Sequence, residues 1–397
     1  MKKFIIGALA LSLVTGVFSC KNEDEVNPIP EDVETVINSF ISGVVTENGA
    51  PLAGATVKAG SETATSAEDG TFTLKAAEGE VVVTASKEGY VETSASINVV
   101  KESVASVNFE LSAKNKAVTV SPDSETTLLE ERDKFISMTF AAGAVAENTE
   151  VAITEYTTRA TFDGNMGAIS VLYCEPSGQT FNVPVKVNLN SKTSSDVVFA
   201  NMVHYTLKDG KWVKEGDMVA GENGYTCELT HFSSHAFGAA AKWSSTNSTE
   251  TSEGVVIDNL GQVSATSKDV TVSVKNGWEI DGDLTAAVKA ALAGVSDSDA
   301  AALAEELNRM VRNEKGASAA VKTNTVSLGK VSVSGDKKAT ISVENEVVSS
   351  TMAVDVVFKG QTITVNVPVK EYKGAKMKVS YQNGEMRPEH SGSDIQG

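Results

Sequence analysis

The sequence predicts a mostly β protein, with tandem β-sandwich domains and a C-terminal β-rich α+β domain that carries a helical hairpin. Three observations support this fold class. Apolar and polar residues alternate along short segments, turn pairs such as Asn48-Gly49 and Asp209-Gly210 separate these segments, and an apolar stripe with helical spacing occurs near the C-terminal end. Short strands with a turn about every 8–12 residues are typical of β-sandwiches.

The charge balance and the small number of metal-binding residues exclude several classes of protein. The 397 residues include 34 Lys plus Arg and 52 Asp plus Glu, for a net charge of −18. Binding to phosphate backbones needs a basic surface, so we expect no nucleic-acid partner. With 3 Cys and 4 His, the chain is too poor in ligands for a zinc array or a haem protein, and we predict no cofactor.

The first residues have the pattern of a bacterial secretion signal. Two lysines precede the apolar run Phe4–Phe18, whose 15 residues are fewer than the roughly 20 that a membrane-spanning helix needs. The run ends in Val17-Phe18-Ser19-Cys20, which resembles the lipobox of bacterial lipoproteins. That resemblance implies a signal peptide at residues 1–19 and a diacylglyceryl group on the Cys20 thiol, which anchors the chain to the outer membrane.

An acidic, proline-containing tether is predicted for residues 20–36, since its composition cannot bury a core. The cluster Lys21–Glu25 resembles the surface-export signal of lipoproteins in the Bacteroidetes. The resemblance implies exposure at the cell surface, and a position facing the periplasm is the alternative.

A first sandwich is predicted for residues 37–113, where Val107, Phe109 and Leu111 alternate with polar residues. The motifs SGVVTENGAPLAGATV, AEDGTFTL and VVVTASKEGYVE resemble the carboxypeptidase regulatory-like domain, which implies a transthyretin-like fold and an accessory role. The zinc peptidases that give this family its name use a His-x-x-Glu pair in another domain. None of the four histidines here has Glu three residues later, so we expect no peptidase activity.

A second sandwich is predicted for residues 114–240. Val183–Leu189 is an alternating strand, and Lys208–Trp212 contains a hairpin turn followed by a tryptophan. Together with Phe140–Val145 and Leu229–His235, these segments resemble, in order, the β-sandwich domain shared by zonula occludens proteins, netrin receptors and ankyrins. The resemblance implies an Ig-like sandwich.

The C-terminal part divides by composition into three segments. Residues 241–254 are rich in Ser, Thr and Asn, which predicts a linker. An α+β domain is predicted for residues 255–381, with helices near 284–293 and 297–315. The polar residues 382–397 are predicted to be a disordered tail.

Capping residues support both helices of this hairpin. Asp283 can cap the first, and Ser296 or Asp297 can cap the second, while Gly294 and Gly316 end them. An apolar stripe with i, i+4, i+7, i+8 spacing runs along the second helix. We expect the hairpin to cover one face or one end of a β-sheet.

The sharpest chemical hypothesis concerns the tripeptide His231-Phe232-Ser233. It resembles the self-cleavage site of some members of the second sandwich family and of an autoproteolytic nucleoporin. The resemblance implies attack of the Ser233 hydroxyl on the Phe232 carbonyl, an N-to-O acyl shift and hydrolysis of the ester, with His231 as base or orienting residue. The alternative, which we favour, is a structural role with Phe232 in a core and the hydroxyl bonded to the backbone.

The sequence offers no convincing metal site. His231 and His235 are four residues apart, and on one continuous strand their side chains would lie about 13 Å apart, too far to share an ion. No third ligand is near them in the sequence, so we predict no bound metal. Cys174 and Cys227 could form a disulfide in an exported protein, and two buried thiols are the favoured alternative.

Three tryptophans are candidates for stacking on sugar rings: Trp212, Trp243 and Trp278. Each could equally fill a core. We therefore expect a non-enzymatic, lipid-anchored envelope protein that presents β-sandwich modules for binding a protein or a glycan. Self-processing between Phe232 and Ser233 is one alternative, and a hydrolase with its site in the C-terminal domain is another.

Overall fold

The computed structural model describes residues 37–130, 135–158, 162, 165–221, 224–316 and 321–384. The signal peptide, the tether with Cys20, and residues 385–397 lie outside these ranges. No helix in the described ranges is long and apolar enough to span a membrane.

The N-terminal module is a two-layer sandwich. Strands β3, β4, β6 and β7 form one antiparallel layer, and β1 organises the other, pairing antiparallel with β5 and parallel with β8 and β9. Alternate residues from both layers, such as Ile41, Val57, Phe72 and Val83, meet in a hydrophobic core. The strands are β1 Phe40–Glu47, β2 Ala50–Pro51, β3 Thr56–Ala59, β4 Glu62–Thr65, β5 Thr71–Lys75, β6 Gly79–Ser86, β7 Thr93–Val99, β8 Ser103–Ser106 and β9 Phe109–Glu110.

Gly43 shows why this module needs glycine at the centre of β1. A Cβ at this position would lie 1.7 Å from the carbonyl oxygen of Val107, closer than any two such atoms can approach. The segment that leads into β9 therefore packs directly on the β1 backbone.

The middle module is a second sandwich. One layer is a five-stranded antiparallel sheet in the order β11-β12-β15-β20-β19, and the other contains β13 and β14. The aromatic residues Phe140, Phe181 and Phe232 lie in the core between them. The strands are β10 Val118–Val120, β11 Thr126–Leu129, β12 Ile136–Phe140, β13 Thr149–Glu155, β14 Met166–Glu175, β15 Thr180–Asn190, β16 Val197–Phe199, β17 Met202–Lys208, β18 Lys211–Asp217, β19 Val219–Gly221 and β20 Gly224–His231.

The C-terminal part consists of long strands and two helices. They are β21 Ser234–Asp258, β22 Thr266–Ile280, α1 Leu284–Ala291, α2 Asp297–Lys315, β23 Lys322–Val333, β24 Lys337–Phe358 and β25 Gln361–Asn383. The predicted fold class is confirmed, since the chain is mostly β, forms several sheets and places two helices near its C-terminal end.

The predicted linker is wrong, because residues 241–254 belong to the 25-residue strand β21. The first residues of this strand pair with β14 and β17, and from Ala241 onward it pairs with β24 as far as Asp258. The Ser and Thr residues between 244 and 251 are exposed on both faces, so this stretch lacks an apolar alternation and is stabilised by its backbone ladder. The predicted disordered tail is wrong at its first two residues, since Gln382 and Asn383 belong to β25.

Strand pairing also joins the three predicted domains to one another. β25 pairs with β24 along its whole length and with β8 of the N-terminal module through Gly374–Lys376. All described residues fall in one compact unit.

Both helices begin where the capping residues predict. Asp283 Oδ1 accepts a hydrogen bond from the Ala286 amide at 3.1 Å, and Ser296 Oγ accepts one from the Asp299 amide at 3.0 Å. The first helix ends at Ala291, two residues before the predicted end. The second ends at Lys315, with Gly316 as its C-cap.

The helical hairpin packs on the middle module, across the predicted domain boundary. The buried residues Leu303, Leu307 and Met310 of α2 share a core with Ile169 of β14. The apolar stripe therefore covers the second sandwich, and its burial is what holds the hairpin in place.

Glu306 on α2 makes the stability of this contact depend on pH. Burial raises the pKa of its carboxyl to about 7, although Ser191 Oγ and the Lys192 amide donate hydrogen bonds to Oε1, at 2.7 and 3.2 Å. A pKa above that of the unfolded chain means that the folded state binds the proton more tightly. Its contribution to stability is therefore fully present below about pH 4.5 and is lost as the pH rises through about 7.

We expect Glu306→Gln to flatten the decline in stability between about pH 5 and pH 8, because the amide oxygen still accepts both hydrogen bonds and never ionises. For the wild type, the loss over this interval is on the order of 3 kcal/mol. Thermal unfolding at a series of pH values measures it, with the half-exposed neighbour Glu305→Gln as control. Parallel pH profiles for wild type and Glu306→Gln would contradict the assignment.

Candidate functional site

A pair of buried histidines lies where β17 and β21 run side by side. The register sets Thr206 opposite His235 and His204 opposite Phe237, so the two histidines are diagonal neighbours on one face. His204 Nε2 is 3.0 Å from His235 Nδ1. The His204 ring also stacks on Phe237, with centroids 5.2 Å apart and planes 12° apart.

A β-bulge brings Glu215 to this pair. In the β17–β18 hairpin, His204 pairs with Gly216 and Tyr205 with Lys214, which leaves Glu215 as the extra residue. Bulges redirect side chains, and here the carboxylate points at the histidines. Glu215 Oε2 is 3.5 Å from His204 Nε2.

The other carboxylate oxygen contacts two further side chains. Glu215 Oε1 is 3.7 Å from His231 Nε2 and 3.2 Å from Lys208 Nζ. The imidazole of His231 also lies 3.4 Å from Thr206 Oγ1. Three of the four histidines of the chain thus surround one carboxylate, and we refer to His204, Glu215, His231 and His235 as the histidine cluster.

The expected 13 Å separation of His231 and His235 is wrong. Their ring centroids are 5.4 Å apart, because the chain leaves the five-stranded sheet after His231 and enters β21 at Ser234. The two residues belong to different sheets, so strand spacing does not apply. Further ligands come from a hairpin distant in the sequence, since ligand atoms of His204, Glu215 and His235 all lie within 4.8 Å of one another. The metal site that the sequence argues against is therefore geometrically possible.

Hydrogen bonding and burial fix the state of the inner two imidazoles. His235 Nε2 lies 3.2 Å from the carbonyl oxygen of His231, an acceptor, so this nitrogen carries the proton and Nδ1 accepts a hydrogen bond from the Nε2–H of His204. Burial lowers the pKa of His204 to about 4 and, together with the neighbouring histidines, that of His235 to about 3. Both rings are therefore neutral at pH 7.

The His231-Phe232-Ser233 tripeptide is arranged as a structural element. Phe232 is fully buried, and Ser233 Oγ donates a hydrogen bond to the Leu207 carbonyl oxygen at 2.9 Å. His231 Nε2 lies 3.4 Å from Thr206 Oγ1 and 3.7 Å from Glu215 Oε1.

We therefore expect the wild type and Ser233→Ala to migrate as one band of the same mass on a denaturing gel, because the hydroxyl is engaged with Leu207. Intact mass spectrometry after prolonged incubation at neutral pH provides the measurement. Fragments that end at Phe232 in the wild type and disappear in Ser233→Ala would establish self-cleavage instead.

The two cysteines of the middle module are free thiols in the structure, so the disulfide considered above is not formed. Cys174 is buried in β14, and Cys227 is half-buried in β20, which belongs to the other sheet. Burial raises the pKa of both thiols, to about 12 for Cys227, so neither is a reactive thiolate at neutral pH.

Burial argues against two of the three predicted sugar-stacking tryptophans. Trp212 is buried with its ring centroid 5.1 Å from that of Phe162. Trp278 is buried too, and its Nε1 donates a hydrogen bond to the Gly316 carbonyl oxygen at 3.1 Å. Trp243 is half-buried, with Lys315 Nζ 4.7 Å from its ring centroid. All three rings therefore pack in or against hydrophobic cores.

A polar cleft of about 360 Å³ lies at the seam between the N-terminal module and the β24–β25 hairpin. It forms where β8 pairs with β25, so both partners contribute to its walls. Its lining offers hydroxyl, amide, ammonium and carboxylate groups, from Ser96, Asn98, Ser103, Glu346, Lys373 and Lys376. Such a lining can bind a polar ligand through hydrogen bonds.

The comparisons with known proteins identify the family of the N-terminal module. Residues 41–112 match the carboxypeptidase regulatory-like domain family, within the predicted range 37–113. The match covers this module, and the N-terminal sandwich is therefore a carboxypeptidase regulatory-like domain. A search of curated proteins found no match.

Two solved structures from Bacteroides align with most of the chain at low similarity. One is a proposed pore-forming toxin from Bacteroides vulgatus, with 13% identity over 90% of this chain and 96% of that chain and a TM-score of 0.30. The other is a proposed membrane-associated protein of unknown function from Bacteroides fragilis, with 13% identity over 88% and 99% of the two chains and a TM-score of 0.37.

Proposed function

We propose that this chain is a non-enzymatic, lipid-anchored protein of the outer membrane that presents its β-sandwich modules for binding a protein or a glycan at the cell surface. The observation that supports it best is the polar cleft at the seam. The carboxypeptidase regulatory-like domain contributes one wall of this cleft, which fits an accessory, ligand-holding module.

The lipid anchor follows from the lipobox resemblance that ends in Cys20, a residue outside the described ranges. One acyl chain binds a membrane only marginally, and two or three bind it durably. The acidic segment after Cys20 supports exposure at the surface, and the periplasm-facing orientation is the alternative. The same proposal includes the resemblance of the middle sandwich to the β-sandwich domain shared by zonula occludens proteins, netrin receptors and ankyrins.

Membrane fractionation tests the anchor. The wild type should partition with detergent and carry a diacylglyceryl-modified N-terminal peptide by mass spectrometry, and Cys20→Ala should do neither. Protease treatment of intact cells then separates the two orientations, because only a surface protein is cut. A wild-type chain released freely into the medium would overturn the anchor.

A glycan array and a matched set of variants test the ligand-binding cleft. We expect any glycan bound by the purified chain to bind at least about tenfold more weakly to Asn98→Ala and Lys373→Ala. Lys58→Ala, exposed on β3 outside the cleft, is the control. Binding that is equally strong in the cleft variants would place the ligand on another surface.

The hydrolase alternative has less support. Hydrolysis by an acid–base pair needs two carboxyl groups that converge on one cleft. The C-terminal cleft lined by Ser244, Thr246, Asp281, Ser349 and Thr351 contributes one carboxylate, that of Asp281. We therefore propose binding, not hydrolysis, as the function.

A further inference from the structure

We propose that the histidine cluster of the middle sandwich is a binding site for one divalent transition-metal ion, with zinc as the preferred metal. The ligands are His204 through Nε2, His235 through Nδ1, and Glu215 through Oε2. This site is distinct from the seam cleft and does not depend on the proposed function.

The distances between the ligand atoms suit a tetrahedral ion. Zinc binds imidazole nitrogen and carboxylate oxygen at about 2.0–2.2 Å, so neighbouring ligand atoms of a tetrahedral site are about 3.3 Å apart. The separation of the two imidazole nitrogens is 3.0 Å, and that of His204 Nε2 and Glu215 Oε2 is 3.5 Å. The ligand atoms of all three residues lie within 4.8 Å of one another, so a rotation of the Glu215 side chain toward the imidazoles completes the site. The ion takes the place of the hydrogen bond between the two imidazoles, and His204 then carries its proton on Nδ1.

The surrounding hydrogen bonds orient the ligands as those of a metal site. Metal-binding histidines usually donate their second ring N–H to a carbonyl or carboxylate, which fixes the tautomer. His235 does this through Nε2 and the His231 carbonyl oxygen, so its Nδ1 lone pair faces the cluster. Lys208 Nζ contacts Glu215 Oε1 and leaves Oε2 for the ion.

The fourth position is open to solvent or to His231. His204 and His235 are buried, whereas the side chains of His231 and Glu215 are 25% and 21% exposed. The ion can thus enter from the His231 side. His231 Nε2 already contacts Glu215 Oε1, so a side-chain rotation can supply a third imidazole.

The ligand types select the metal. Imidazole together with carboxylate suits zinc and its transition-metal neighbours, while calcium and magnesium prefer all-oxygen sites. Bound zinc would connect β17, β18 and β21, and with His231 it would also connect the two sheets of the middle sandwich. The expected consequence is a higher unfolding temperature in the presence of zinc, because the ion binds only the folded arrangement.

Zinc titration of the untagged, chelator-treated chain tests the site by calorimetry or by competition with a chromogenic chelator. We expect one zinc ion per chain, visible absorption bands on loading with cobalt(II), and no response to calcium or magnesium. Zinc should also raise the unfolding temperature.

Variants assign the ion to this site. Glu215→Gln and His204→Gln should each weaken zinc binding by at least about tenfold and abolish the rise in unfolding temperature. Two controls should bind as the wild type does: Glu228→Gln on the exposed side of β20, and His390→Ala, the one histidine outside the cluster. Glu215 is partly exposed, so Glu215→Gln decides the test even where His204→Gln fails to fold.

Three outcomes would overturn the proposal. The first is a wild type that binds no zinc at about 100 µM, a concentration far above the dissociation constants of protein zinc sites. The second is equal zinc affinity in the wild type and Glu215→Gln. The third is loss of binding in His390→Ala, which would place the ion on the C-terminal residues.

Discussion

Replacing Glu155 with alanine is expected to lower the free energy of unfolding by about 3–5 kcal/mol, because the substitution removes one half of a buried ion pair. Arg309 of α2 donates a short hydrogen bond to Glu155 Oε1. The two side chains are only 6% and 4% exposed. Breaking such a pair leaves a guanidinium in a region of low dielectric constant without the Glu155 carboxylate that it binds.

The surroundings of this pair explain why water cannot compensate. Arg309 Nε donates to the Ile169 carbonyl oxygen at 3.1 Å, and its guanidinium lies 4.5 Å from the Phe135 ring centroid. Glu155 Oε1 also accepts a hydrogen bond from Ser170 Oγ at 2.7 Å. The pair therefore fixes α2 to β13 and β14, and its loss also loosens the helical hairpin.

Glu305→Ala is the matched control, since it also removes a carboxylate that binds a cation next to α2. Lys192 Nζ and Glu305 Oε1 are 2.7 Å apart, but both side chains are half exposed. Exposed pairs contribute about 0–1 kcal/mol. Equilibrium urea unfolding of both variants gives the comparison, and similar small losses in the two would show that the buried pair is not what holds the hairpin.

The second large effect is expected for Phe232→Ala, at about 3–5 kcal/mol, since it removes a fully buried aromatic ring. The Phe232 ring meets those of Phe181 and Phe140 edge to face, with centroid distances of 4.9 and 5.9 Å. Its amide donates to the Gln179 carbonyl oxygen at 2.7 Å, and its carbonyl oxygen accepts from the Gly178 amide at 2.9 Å. The residue thus anchors the crossover from β20 to β21.

Phe232→Leu separates volume from aromatic geometry. Leucine retains most of the apolar volume, so we expect a loss of about 1–1.5 kcal/mol from the missing edge-to-face contacts and imperfect packing. The same urea titrations measure both variants. A loss below about 1 kcal/mol for Phe232→Ala would mean that the core between the two sheets collapses around the vacated space.

Short sequence motifs predict the hairpin turns and the starts of both helices correctly. The Asn48-Gly49 and Asp209-Gly210 turns close hairpins, and Asp283 and Ser296 cap the two helices. These features depend on the backbone preferences and hydrogen bonds of neighbouring residues, which the sequence displays directly.

The wrong linker prediction and the tryptophan candidates have the same cause. Trp212 and Trp278 looked available for sugars because alternation shows that a strand has two faces but not which face another sheet covers. The serine- and threonine-rich segment looked like a linker because its stability comes from the β24 ladder, a partner about 100 residues away.

Part of the histidine cluster can be predicted from the sequence. In a two-residue hairpin centred on Asp209-Gly210, counting outward from the turn sets His204 opposite Glu215, and this signal was missed. The bulge that directs the Glu215 carboxylate at the histidines, and the crossover that brings His231 back to His235, leave no comparable local pattern.

Neighbouring residues specify the turns, the helix caps and most of the short strands, since short-range chemistry dictates them, and sequence motifs identify the regulatory-like module at 41–112. The tertiary structure determines the remaining features. Helix α2 packs on the middle sandwich, and Glu155 pairs with Arg309, 154 residues further along the chain. Three histidines surround Glu215. Such contacts depend on how whole sheets stack and cross, so their energies arise only once distant segments have been brought together.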